Sequence, residues 1–245
     1  MLELLIFIFT TILYFAGKYF IKSPSYLRIM TGAYVTIILI SQLYFNVALL
    51  SSVCVGTDNL GMAVGATLIP WIVIFGTVYA ALTIFPGWKQ PFSNTFGYGI
   101  AKLMGVNELL FNLLKSESTG DTETKKILHN IYTNPSLFIN QITPDNFDEF
   151  VKKSKFMFVQ GATSKPDMGQ FRNIIKLKDL VSEFVWYILS GILVTTVSYN
   201  TIVNTNCSNS VEEMKKRHNE YETEVKEKQK QAQSSPSPRV YYIRD

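Results

Sequence analysis

Three stretches of this chain, 29–57, 59–88 and 184–211, contain no charged side chain. Each exceeds the roughly 20 apolar residues with which an α-helix crosses about 30 Å of hydrocarbon. In lipid the backbone must satisfy its own N–H and C=O groups, so each stretch folds as a helix. The whole chain is only 17% charged and 47% hydrophobic, with mean hydropathy +0.14. A soluble domain carries nearer about 25% charged residues. These features predict an all-α polytopic membrane protein with about four transmembrane helices, at about 2–21, 29–55, 60–85 and 180–206. A soluble or membrane-surface helical segment is expected over 86–179, and a charged helical tail with a Ser/Pro end over 207–245.

The first of these helices rests on a shorter run. Its uncharged part ends at Gly17, and Lys18 is expected to snorkel to the headgroups and lengthen it. Glu3 stands where a cleaved signal peptide carries positive charge, and no A-x-A-like site follows, so the helix is expected to be retained. Orientation follows from the links. The first holds Lys18, Lys22 and Arg28 without an acid, and the second holds Asp58 without a base. The positive-inside rule puts the first link and 86–179 in the cytosol, and both termini opposite. Cys54 and Cys207 then share the non-cytosolic face, which is oxidising if the membrane derives from the endoplasmic reticulum. They are expected either to form a disulfide tying two helix ends or to stand as two free thiols near the interface. The sequon at 206–208 lies close to the bilayer for glycosylation.

Within the bilayer the polar residues are mild. Gln42 and Asn46 stand one turn apart, Gly61 and Gly65 form a GxxxG, and Pro70 lies near mid-span. Small residues allow close helix approach and amides bond between helices, so packing is the expected role. A permeation path through Gln42, Asn46 and the hydroxyls of the last helix is the alternative, but ion pathways need ionisable groups at depth. Thr95–Gly99 reads T-F-G-Y-G and resembles a potassium-channel filter. Pro86, Gly87 and Pro91 before it predict a turn rather than a pore helix. The apolar positions 103, 106, 109, 110, 113 and 114 after it predict an amphipathic surface helix rather than an inner span. Gly97 and Gly99 are therefore expected to turn the chain onto the membrane surface.

In the soluble segment, Thr143 is expected to cap a helix starting at Pro144 and ending before Gly161. Its apolar residues Phe147, Phe150 and Phe158 are candidates for a small core or for a partner surface. Residues 120–142 predict one or two helices broken at Pro135, and 161–169 reads as a loop. No catalytic, cofactor-binding or metal-binding residues are expected. His129 and His218 lack further ligands at metal spacing, and no phosphate loop or hydrolase motif occurs. The tail steps through Val211, Met214, His218, Tyr221 and Val225 by 3, 4, 3, 4, a heptad seam. The pairs Glu222–Lys226 and Glu224–Lys228 support a helix there. The seam and the aromatic end at Tyr241 and Tyr242 are further partner-binding candidates.

Two stretches, IFPGWKQPFSNTFGY (84–98) and TTVSYNTIVNTNCSNSVEEMKKRHNEY (195–221), resemble a membrane-protein family of the nucleocytoplasmic large DNA viruses. The resemblance implies a protein of the virion inner membrane, assembled from host endoplasmic-reticulum-type membrane. It implies a structural role as a minor capsid protein anchoring or scaffolding a protein shell on the lipid. The expected partners are therefore the bilayer and other membrane, capsid or minor capsid proteins, with no nucleic acid and no small-molecule substrate. A small oligomeric channel or transporter is the alternative.

Overall fold

A computed structural model describes residues 2–21, 23–54, 60–205, 207 and 211–234. The fold is all-α; among the described residues there is no strand, and an isolated antiparallel bridge joins Leu114 to Phe158. Four segments are long and apolar enough to span a bilayer. The first two are helices α1 (Leu2–Phe20) and α2 (Pro24–Val53), the latter opened by proline at its first turn. The third span is one path in three parts: α3 (Leu60–Pro70), a π-helical turn Trp71–Phe75, and α4 (Gly76–Ile84). Pro70 has no N–H to give to the preceding turn, which accounts for the wider turn beginning at the next residue.

The connection after α4 corrects the sequence reading. Residues 86–103 do not turn away but stay helical, through a 3-10 turn Pro86–Lys89, α5 (Gln90–Phe92), a π turn Ser93–Gly97 and α6 (Tyr98–Leu103). Pro86 and Pro91 each sit in the first turn of a new helical piece, where a missing N–H costs nothing. Gly97 serves close approach rather than a bend. A Cβ there would run into the Lys178 carbonyl. Gly99 faces open space. The expected surface helix is split at Gly105, whose φ of +77° ends α6 and admits α7 (Val106–Leu113) at a new angle. Leu103 is left outside, while Val106, Leu110, Leu113 and Leu114 are buried in a second core rather than laid on a surface.

The rest of the lobe around this core comprises α8 (Thr122–Thr133), α9 (Ser136–Ile139) and α10 (Phe147–Lys153). Asp121 caps α8 by accepting from the Thr124 amide at 2.8 Å, and Pro135 separates α8 from α9. The expected start at Pro144 is displaced to Phe147. Thr143 and Asn146 exchange side-chain-to-backbone hydrogen bonds (2.8 and 3.3 Å) that hold a turn before α10. Phe147 and Phe158 are 1% and 4% exposed, with Phe150 packed against them, so they form the lobe's core and are not a partner surface.

The largest departure from the expected boundaries is the last span. Instead of beginning near 180, α11 (Pro166–Val203) is one 38-residue helix, about 57 Å long at 1.5 Å per residue. Its first turns place Met168, Phe171, Ile174 and Ile175 at helical spacing in the lobe core, beside Ala101, Leu110, Leu128 and Ile139. Its last turns place Tyr187, Ser190, Gly191, Val194 and Ser198 inside the bundle. One helix thus belongs to both cores. The tail forms α12 (Val211–Ser234).

Candidate functional site: a charged cavity above an aromatic layer

The bundle interior is closed by rings. Tyr14 stacks on Tyr34 at 4.2 Å between centroids. Tyr187 meets Phe15 and Phe75 edge-on at 5.1 Å each, and Phe7 meets Trp71 at 5.7 Å. Phe7 lies where a Cβ on Gly191 would be, so α1 and α11 touch nearly backbone to ring. The hydroxyls are bonded within the layer, Thr11 to Tyr34 at 3.0 Å and Tyr14 to Thr31 at 2.9 Å.

Above this layer lies a cavity of about 750 Å³, with Tyr14, Leu82 and Tyr187 among its lining residues. Its walls come from the ends of all four spans, and it is charged. Lys18 Nζ meets Glu183 Oε1 at 2.5 Å; Lys89 Nζ meets Asp179 at 3.0 Å and Glu183 at 3.8 Å. Arg28 and Asp145 also line it. Burial pulls the Lys89 ammonium toward its neutral form, but Asp179 and Glu183, with Asp145 farther off, outweigh it and hold its pKa above the usual lysine range. Lys18, expected to reach toward the headgroups, is paired with the Glu183 carboxylate.

The connection after α4 is pinned against α11 beside this cavity. Ser182 donates to the Lys89 carbonyl (2.6 Å), the Trp186 indole to the Trp88 carbonyl (2.9 Å), and Lys178 to Asn94 (3.3 Å). Lys176 reaches the Tyr19 carbonyl at 3.2 Å, tying α1 to the same helix. The cavity is thus bounded on the lobe side by a hydrogen-bonded collar and below by aromatic rings.

The residues singled out from the sequence fall elsewhere. Asn46 donates to Thr67 at 2.8 Å across α2 and α3, and Gln42 donates to the Glu3 carbonyl at 3.4 Å, which are interhelical bonds. The Gln42 carbonyl oxygen, Thr195 and Ser198 are buried without a partner. Gly61 and Gly65 do not provide the expected close contact. Both face open space, because α3 buries the face carrying Ala63, Ala66, Thr67 and Pro70. Cys54 and Cys207 form a disulfide with Cα atoms 5.4 Å apart, at the end of the bundle opposite the cavity. On α12, Tyr221 is exposed, Val225 is half-buried, and the pairs Glu222–Lys226 (3.1 Å) and Glu224–Lys228 (3.7 Å) are formed. The side chains of Val211 and Met214, with Tyr241, Tyr242 and the centre of the sequon, lie outside the described residues. Among the described residues no cluster of His, Cys, Asp or Glu could hold a metal ion.

The sequence reading missed Lys18, Arg28, Lys89 and Glu183 as a group, although a signal was present. Each is the charged residue that ends an apolar run, and an up-and-down bundle brings all four run ends to one membrane boundary. No family model, curated protein or solved structure matches this chain.

Proposed function

We propose that this chain is a non-catalytic structural membrane protein that anchors or scaffolds a protein shell on a lipid bilayer, as a minor capsid or inner-membrane protein of a large DNA virus. The observation that carries the reading is α11, which is continuous from the lobe core into the bundle core. A lobe built on a helix that also spans the membrane is held at a set height and orientation, which is what an anchor requires. The tail helix α12 follows the disulfide at the other end and offers a second contact surface on the opposite face. The viral assignment rests on the resemblance at 84–98 and 195–221, and the positive-inside rule puts the lobe in the cytosol.

Cross-linking mass spectrometry on intact native membranes or particles tests this. Links from Lys152, Lys153 and Lys155, or from Lys215 to Lys230, to a different, shell-forming protein are expected. Links confined to copies of this chain would overturn it in favour of an oligomeric channel or transporter. That second reading draws on the charged cavity, but the aromatic layer below obstructs a path through the protomer. Bilayer conductance would then be the next measurement.

A further inference from the structure

A second cavity adjoins the charged one. An apolar groove of about 310 Å³ runs between α2 and the third span, lined by Val35, Leu39, Trp71, Ile72, Gly76 and Tyr79 among others. Val35 and Tyr79 line both cavities, so the two adjoin at these side chains. The groove faces outward, since Ile72 on its edge is 65% exposed and the neighbouring outer residues are apolar. In a bilayer that face is hydrocarbon. From Arg28 to Leu39 the two cavities follow α2 for about 16 Å, close to half of the roughly 30 Å hydrocarbon thickness, which is the depth of one leaflet.

We infer that the cavity and groove together bind one phospholipid, its phosphate at the charged cavity and an acyl chain in the groove, with preference for an anionic headgroup. Charge sets the preference. The cavity presents Lys18, Arg28 and Lys89 against Glu183 and Asp145, and Asp179 pairs with Lys89 from outside the lining, so the charges balance and the preference rests on which cation is left unpaired at the rim. Lys18 and Lys89 are already engaged by carboxylates, while Arg28 forms no ion pair among the described residues and stands exposed at the rim. A guanidinium pairs with phosphate through two parallel N–H donors. A choline or ethanolamine headgroup would add a cation beside Lys18 and Lys89, whereas an anionic headgroup adds none. This lipid site does not depend on the shell-anchoring role and can stand or fall separately.

The test is native mass spectrometry of the full chain released from bilayers holding equal amounts of phosphatidylglycerol and phosphatidylcholine. The wild type is expected to retain one phosphatidylglycerol in preference to phosphatidylcholine. Arg28→Gln removes a charged hydrogen-bond donor to the phosphate that both lipids carry, so retention of each should fall roughly tenfold. Gly76→Leu fills the groove and should abolish retention of both lipids. A Cβ at Gly76 meets only the Trp71 carbonyl at 3.8 Å, an ordinary contact. Ile72→Trp repeats the block from an exposed position in case the glycine variant does not fold. Equal retention of the two lipids by the wild type, or unchanged retention in Arg28→Gln, would overturn the inference. So would retention unaffected by either groove block, or displacement of the lipid by soluble glycerol 3-phosphate, which would make the headgroup alone the ligand.

Discussion

The lobe and the bundle share α11 yet are stabilised differently. In the lobe core, Leu110, Leu128, Ile139, Phe147 and Phe171 are withdrawn from water, and the hydrophobic effect drives their burial. In the bundle the outside is as apolar as the inside, with Ile37, Ile40, Ile69 and Ile72 facing outward, so burial alone gains little. What distinguishes the bundle's interior is ring packing and polar atoms, namely Thr11, Gln42, Asn46, Thr67, Ser190 and Ser198, most of them bonded across or along helices. A single helix therefore carries an apolar stripe where it meets water and a stripe of small and hydroxyl residues where it meets lipid.

The largest expected effect tests that contrast at two phenylalanines of equal burial. Phe171→Ala should destabilise the lobe by about 3–5 kcal/mol, because it loses both transfer from water and packing. Phe7→Ala in the bundle loses packing alone and should cost clearly less. Thermal unfolding of the lobe, followed by protease cleavage within 104–165, and SDS titration of the bundle measure the two. Equal costs would break the comparison. Next in size, Glu183→Gln takes the carboxylate from Lys18 and leaves Lys89 only Asp179 at the half-buried boundary, a loss of about 3 kcal/mol for a broken buried pair. Arg172→Gln, at the exposed pair with Asp148, should leave SDS resistance unchanged.

At the far end, replacing Cys54 and Cys207 by serine should lower stability by about 2 kcal/mol, the low end for disulfides. The membrane already holds both helix ends near each other, so the closed loop gains little. Fragments cut between α2 and α11 should stay joined on non-reducing gels and separate on reduction. The smallest effect is that of pH on the lobe. Arg172 holds the Asp148 carboxyl below its usual range, Thr124 does so for Asp121, and Lys153 for Glu149. A lowered folded pKa gives stability that is present above the unfolded value, about 3.9 for Asp and 4.3 for Glu, and is lost as pH falls through the folded one. Near-ultraviolet circular dichroism from pH 6 to 2 should report loosening of the lobe below about pH 4.

Much of the membrane half was legible, because a run without charge has one cheap solution in lipid. The lobe was less so. Phe147 and Phe158 have the spacing of either a core or a docking face, and only the helices packed over them decide which. The helical path through Pro86, Gly87 and Pro91 was misread, since proline breaks a helix interior but starts a helix well. Gly61 and Gly65 match a packing motif on the wrong face of α3, while Gly191, which no motif marks, makes the close contact. The cavity was missed because its charged residues are far apart in sequence, as Lys18 and Glu183 are.

By itself the sequence determined that the chain is helical, that it spans a membrane about four times, and which ends meet at each boundary. Those outcomes follow from the cost of an unpaired charge or backbone group in hydrocarbon, a local property of each segment. Tertiary structure alone decided which faces pair, that α11 runs unbroken through two cores, and that four boundary charges line a cavity beside an apolar groove. Those depend on contacts between residues distant in the chain, and local periodicity does not record which partner a helix face will meet.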